Sequence, residues 1–313
     1  MDCFRKQVLK KVKTDHKNSA ATSRAVEVEA ALPAHADSVN CITHTIPTFC
    51  LSGGNDKAVV LSDYAKQIPF QTWIGHSRDI TKVAYGKLRS IALSGSRDKT
   101  INVWRLYCGN PLLTFTGHQL AVTGLAINPN GNETLCSGSR DNSLKLWQID
   151  TGDCITTSTL SRNLVTDLKW SPNGNIVVST SEDKEVKMWD SRNLQLIHAF
   201  PKKMHIQNCC DIDETGNFCV TCSSGSNENG SEATLWDLKQ RTIMHEYRGH
   251  FDSITACAFL RGIAKTYIIT AGKDETIRLW DRDSPSTNVL QDFRLEAQDF
   301  VVNNQERHSI LYT

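Results

Sequence analysis

The chain has 313 residues, a formal net charge of +1 and 22% charged residues, so it can build one large core or two ordinary ones, and no global field favours nucleic acid or a membrane surface. It holds no apolar run of about 18 residues, the length a membrane-spanning helix needs, and its N-terminus lacks the apolar stretch of a secretory signal. Eleven irregularly spaced cysteines therefore read as reduced thiols, and the expected location is intracellular, cytoplasmic first, with nucleus or cilium as alternatives.

Residues 1–24 carry seven Lys/Arg and two Asp. The expectation is a solvated, disordered tail. Phe4, Val8, Leu9 and Val12 lie at helical spacing among basic residues, so membrane contact through a short amphipathic helix is the alternative. Lys10-Lys11-Val12-Lys13 also fits an import signal, and Cys3 is a candidate for lipidation. Val26, Val28 and Ala30 then alternate as a strand would.

From residue 35 onward a unit of about 42 residues recurs, a period that means stacked supersecondary units. Its marker is an Asp with a Trp six residues on: Asp98/Trp104, Asp141/Trp147, Asp183/Trp189 and Asp274/Trp280. Asp56 is a fifth copy, with Ser62 in the Trp place. Four residues before each Asp stands a hydroxyl: Ser52, Ser94, Ser137, Ser179 or Thr270. Further upstream a His precedes apolar residues at +4 and +7: His35, His76, His118, His205 (Cys209, Ile212) and His250, with Ser161 in the fourth unit. Within each unit β-prone runs are separated by Gly-, Asn- and Asp-containing turns, which predicts a four-stranded antiparallel sheet per period. Six units are readable between His35 and Asp281.

The fifth unit is the longest, stretched by the polar segment Ser223–Ser231 where the Asp turn belongs. This is expected to be a tolerated insertion at a loop tip, with a partner-contacting loop as the sharper alternative. The same unit gathers Cys209, Cys210, Cys219 and Cys222. Cys219 and Cys222 should point to opposite faces of one strand, so no metal site and no cofactor are expected. Extending the spacing from Trp280 carries the next Asp turn past Thr313. A seventh unit should therefore stop after two strands, near 300–303 and 308–312, as in a shortened variant of a longer protein.

These residues resemble the WD-repeat family over roughly 25–313. The resemblance implies an all-β β-propeller of four-stranded antiparallel blades: six full repeats plus an incomplete seventh blade, closed by the N-terminal strand. It implies structural tetrads inside the blades: His76, Ser94, Asp98 and Trp104; His118, Ser137, Asp141 and Trp147; His250, Thr270, Asp274 and Trp280. The chemistry suits that role, because a buried Asp needs donors that His, hydroxyl and indole supply. A Ser-His-Asp trio repeated in several blades is not a hydrolase triad. The sequence also shows no unrepeated polar cluster of the kind an active site in the central channel would need.

The family's binding surface would receive the residue before each turn Asp: Asn55, Arg97, Arg140, Glu182 and Lys273. Arg97 and Arg140 on adjacent blades fit an acidic or phosphorylated peptide. Trp189-Asp190-Ser191-Arg192 resembles the box by which WD-repeat substrate receptors touch the adaptor of a cullin-type ubiquitin ligase, with Trp236-Asp237-Leu238-Lys239 a weaker echo. The expected function is a non-catalytic adaptor for other proteins or peptides, with no nucleic acid. A ligase substrate receptor and an adaptor in ciliary or vesicular trafficking are the alternatives.

Overall fold

Runs of β-branched and apolar residues between turn-forming residues fold into strands along the whole repeat region. The structure is a computed structural model that describes residues 34–131, 133–159, 164–225, 230–260, 266–283, 291–294, 301–302 and 309–310. Each blade holds four strands, called a to d from the first outward. Blade 1 is β1 (Val39–His44), β2 (Phe49–Gly54), β3 (Ala58–Asp63) and β4 (Ile68–Ile74). Blade 2 is β5 (Ile80–Gly86), β6 (Ile91–Ser96), β7 (Ile101–Arg105) and β8 (Leu113–Phe115). Blade 3 is β9 (Val122–Ile127), β10 (Thr134–Ser139), β11 (Ser143–Gln148) and β12 (Cys154–Thr159). Blade 4 is β13 (Val165–Trp170), β14 (Ile176–Ser181), β15 (Val186–Asp190) and β16 (Leu196–Ala199). Blade 5 is β17 (Gln207–Ile212), β18 (Phe218–Ser223), β19 (Glu232–Asp237) and β20 (Thr242–Arg248). Blade 6 is β21 (Ile254–Leu260), β22 (Tyr267–Gly272), β23 (Thr276–Asp281) and β24 (Gln291–Arg294).

All pairings are antiparallel in the simple order a-b-c-d, as expected of a β-propeller. The a strands β1, β5, β9, β13, β17 and β21 lie beside one another in succession around the ring. A further two-stranded sheet pairs β25 (Val301–Val302) with β26 (Ser309–Ile310), where strands a and b of a seventh blade were expected, and β25 lies beside β1. The expected closing strand at 26–30 and the basic tail at 1–24 lie outside the described residues.

Both faces of a blade are covered by its neighbours, so the middle strands are not amphipathic: all six residues of β6 are buried. The outer strands return to alternation, as β12 shows. The core is accordingly a series of layers between blades. Leu93, Ile101 and Val103 of blade 2 pack on Val122, Leu125, Leu135 and Trp147 of blade 3. An aromatic on strand d or just after it also packs on the Trp of the next blade, with ring centroids 5.5 Å apart for Phe115–Trp147, 4.8 Å for Phe200–Trp236 and 5.5 Å for Tyr247–Trp280. Gly75 sits where an added Cβ would come 2.8 Å from the Trp104 ring, which explains the small residue before that His.

Polar stitches add to this at the ring's inside. The side chains of Asn40, Thr123, Thr166 and Asn208 donate to the carbonyls of Ile80, Val165, Gln207 and Ile254 at 2.8, 2.6, 2.5 and 2.8 Å, and Thr81 donates to Val122 in the same way. Each bond runs from the second residue of one a strand (or its counterpart) to the first residue of the next blade's.

Candidate functional site

The repeated Asp builds the turn between strands b and c. In blade 2 the loop Arg97-Asp98-Lys99 closes with Lys99 at φ 76°, and Asn142, Lys184 and Glu275 hold the same left-handed place at 66°, 71° and 61°. Such a three-residue hairpin loop needs one residue there. Asp98 Oδ1 accepts from the Thr100 N–H at 3.0 Å, and its Oδ2 accepts from the Ser77 N–H at 2.9 Å. One carboxylate thus pins the b–c turn to the turn that enters strand a.

The tetrads carry this inward. His76 Nδ1 meets Asp98 at 2.8 Å, its Nε2 meets Ser94 Oγ at 2.8 Å, and the Trp104 indole donates to Ser94 at 2.8 Å. His118, Asp141, Ser137 and Trp147 repeat it at 2.9, 2.7 and 2.8 Å. His250, Asp274, Thr270 and Trp280 do so at 2.9, 2.7 and 2.8 Å. Burial alone would raise these carboxyls, but hydrogen bonds from His76 and Thr100 hold Asp98 well below the usual range, and those from His118 and Ser143 do the same for Asp141. In blade 1 His35 bridges Asp56 (3.0 Å) and Ser52 (2.7 Å) without an indole.

Where the His is missing, a lysine supplies a polar partner for the carboxylates. In blade 4 Lys187 Nζ lies 2.6 Å from Asp183, and the Trp189 indole still donates to Ser179 at 2.8 Å. In blade 5 the expected alignment of His205 is corrected. The bulge that starts every a strand falls between Gln207 and Cys209, as it does between Ile80 and Lys82 in blade 2. Gln207 therefore matches Ile80, and Lys203 stands at the His position, its ammonium on Glu232 and Glu246. Phe200, three residues before Lys203, matches Trp73 before His76 and Phe115 before His118, a signal already present in the sequence. The Trp236 indole donates to Thr221 at 2.9 Å, and Thr221 donates to Gln207 at 2.9 Å.

On the face made by these turns, the five expected contact residues hold different partners. Arg97 pairs with Asp79 at 2.8 Å, and Arg140 pairs with Glu182 at 3.2 Å. The two arginines are thus already balanced by acids beside them. Asn55 accepts from Asn40 at 2.7 Å, and Lys273 is exposed. The residue types passed over were apolar: Met204 is 78% exposed just after Lys203, and Phe251 is 58% exposed just after His250. These are the same place on adjacent blades. The start of the inserted segment touches the turn after Phe251, since Ser253 Oγ donates to the Gly225 carbonyl at 3.0 Å. Arg192 lies at the opposite end of blade 4, exposed on the c–d turn, with no ion-pair partner among the described residues.

The a strands correct a second expectation, that no unrepeated polar cluster exists there. Lys82 of β5 reaches past blade 3 to Asp167 of β13 at 3.1 Å, and Lys169 lies 3.7 Å from Asp211 of β17. Blade 3 presents Gly124 at the place that Lys82 and Asp167 hold in theirs. Asp167 also accepts from the Leu168 N–H at 2.8 Å, and Asp211 from the Phe259 N–H at 3.0 Å. Burial pushes the Asp167 carboxyl up to about 6, against the pull of Lys82. Beside this network three thiols converge, those of Cys209, Cys222 and Cys257. The pair weighed from the sequence, Cys219 and Cys222, does not chelate together: Cys222 faces Cys209 across the strands instead.

Comparison with known proteins bears on this architecture. Residues 67–105, 109–148, 152–190 and 241–281 match the family described as WD domain, G-beta repeat, together just over half of the chain. Pre-mRNA-processing factor 19 of Bos taurus is 27% identical over 67% of this chain and 32% of its own length. Pre-mRNA-processing factor 17 of Homo sapiens is 29% identical over 71% of this chain and 30% of its own length. An uncharacterized WD repeat-containing protein of Schizosaccharomyces pombe is 25% identical over 88% of this chain and 62% of its own length. The chain thus spans about a third of the length of the pre-mRNA-processing factors. With the repeated tetrads, the four-stranded blades and the matched segments in agreement, the chain belongs to the WD domain, G-beta repeat family.

Proposed function

We propose that the chain is a non-catalytic scaffold that holds protein partners on the face built from its b–c and d–a turns. The observation that carries this reading is the exposure of Met204 and Phe251 at equivalent places on blades 5 and 6, on turns that the tetrads and their lysine substitutes hold rigid. Rigid presentation keeps the ordering cost of binding low, and exposed apolar anchors amid charge are what a binding surface needs. The partner that fits is a protein segment with an apolar anchor. Lys273 favours acidic residues beside it, whereas Arg97 and Arg140 favour them less because Asp79 and Glu182 already balance them.

Crosslinking in cells followed by mass spectrometry tests this with the double variant Met204→Ser/Phe251→Ser. A partner set that shrinks while the thermal midpoint holds supports the proposal. An unchanged set overturns it. The same data sort the assemblies. The names of the relatives point toward nuclear pre-mRNA processing, and a ciliary or vesicular trafficking assembly is the competing destination.

The second reading, a substrate receptor of a cullin-type ubiquitin ligase, rests on the exposed Arg192 guanidinium at the opposite end of blade 4. Arg192→Ala should then remove the ligase adaptor from the co-purified proteins and leave the first face's partners in place. An adaptor that stays bound, or is never found, ends that reading.

A further inference from the structure

The Sγ atoms of Cys209, Cys222 and Cys257 all lie within 4.8 Å of one another. Cys209 and Cys222 are directly opposed on β17 and β18, and Cys257 comes from β21 of the next blade. Cys222 and Cys257 are buried and Cys209 is half-buried, so the group is sheltered. Their present hydrogen bonds are weak: Cys222 and Cys257 each point at the Cys209 carbonyl from 3.8 Å. The other buried cysteines, Cys41 and Cys50 of blade 1, Cys136 of blade 3 and Cys210 and Cys219 of blade 5, do not join the group.

We propose that Cys209, Cys222 and Cys257 form a binding site for a single soft, thiophilic metal ion of the copper(I) class, bridging blades 5 and 6. With metal–sulfur bonds of about 2.3 Å, a three-coordinate ion needs a sulfur triangle about 4 Å on a side. Side-chain rotation closes the remaining distance. Zinc takes four ligands, and no fourth His, Asp, Glu or Cys atom joins this group among the described residues. An all-sulfur trigonal set suits the softer ion. On binding, three S–H bonds break, three metal–sulfur bonds form, and three protons leave to solvent. No electron is transferred.

The test uses the full chain, reduced and free of oxygen, titrated with copper(I) against bicinchoninate as competing chelator. The expected result is one copper per chain, a new thiolate-to-copper absorption in the near ultraviolet, and protection of these three thiols from iodoacetamide. Cys209→Ser and Cys257→Ser should each weaken binding at least tenfold, while Cys136→Ser should not. Thiol protection is read on the unmutated chain, so a variant that folds badly does not remove the test. Absent or substoichiometric copper, protection of other cysteines, a preference for zinc, or mere formation of a disulfide within the trio would each overturn the proposal.

Discussion

At the level of single residues, the hydroxyl of Ser137 holds two buried groups at once, His118 at 2.7 Å and the Trp147 indole at 2.8 Å. Ser137→Ala strands both, so it should cost about 2–4 kcal/mol, the penalty for two unpaired buried groups. Ser52→Ala, where no indole bonds to the hydroxyl, should cost about half as much. Chemical denaturation midpoints read the difference, and equal losses would show that the indole bond contributes nothing. Lys187 is the less obvious case. It is 10% exposed and lies on Asp183, so Lys187→Met should cost about 3 kcal/mol near neutral pH by leaving a buried carboxylate without its cation. Burial works against both charges, but their mutual hydrogen bond lowers Asp183 and raises Lys187. The pair's contribution is therefore full between about pH 4 and pH 10, fading as Asp183 protonates below and as Lys187 deprotonates above. A loss in Lys187→Met that persists undiminished at pH 3 would contradict this. The three intact tetrads were legible because the same letters recur at fixed spacing. Lys187 and Lys203 were not, because what persists in blades 4 and 5 is a charge placed against a carboxylate, from a different residue type.

At the level of strands and turns, the repeat specifies the b–c loop more tightly than its letters show. Lys99 is exposed and holds φ 76°, a conformation that costs a side-chain-bearing residue about 1–2 kcal/mol and glycine almost nothing. Glycine gives part of that back through the freedom it has when unfolded. Lys99→Gly should thus raise stability by a net amount of about 0.5–1 kcal/mol, seen as a higher thermal midpoint. A lowered midpoint would mean that the Lys99 side chain makes contacts worth more than the strain. The element boundaries were largely legible, down to the two short strands near 301 and 309. The His205 alignment failed for a reason specific to strands: moving the register by two keeps the same residues on the same face. Cys209 and Ile212 therefore satisfied the apolar pattern as well as Gln207 and Cys210 did. Only the bulge and the aromatic three residues upstream distinguish the two registers.

For the whole molecule, acid should act on two opposed sets of carboxylates. Asp56, Asp98, Asp141, Asp183 and Asp274 all lie below the usual range, so their contribution is full above about pH 4 and is lost as pH falls further. Asp167 has the opposite sign. Burial raises it to about 6, so the folded state holds its proton between pH 4 and 6 while the unfolded chain does not. Ionising it destabilises the fold as pH rises through that window, by about 3 kcal/mol for a shift of roughly two units. The Asp167 site was not legible in the sequence, since Lys82 and Asp167 are far apart in the chain and meet only because the ring brings β5 and β13 together past the glycine in β9. The prediction concerns a difference, which removes every contribution common to the two chains. Asp167→Asn keeps the shape and removes the charge, so its stability relative to the unmutated chain should climb from pH 4 to pH 7 and then level off. Denaturation midpoints across that range measure it. A difference that stays flat with pH would mean that Lys82 holds Asp167 ionised throughout, and that this pair stabilises the ring instead of straining it.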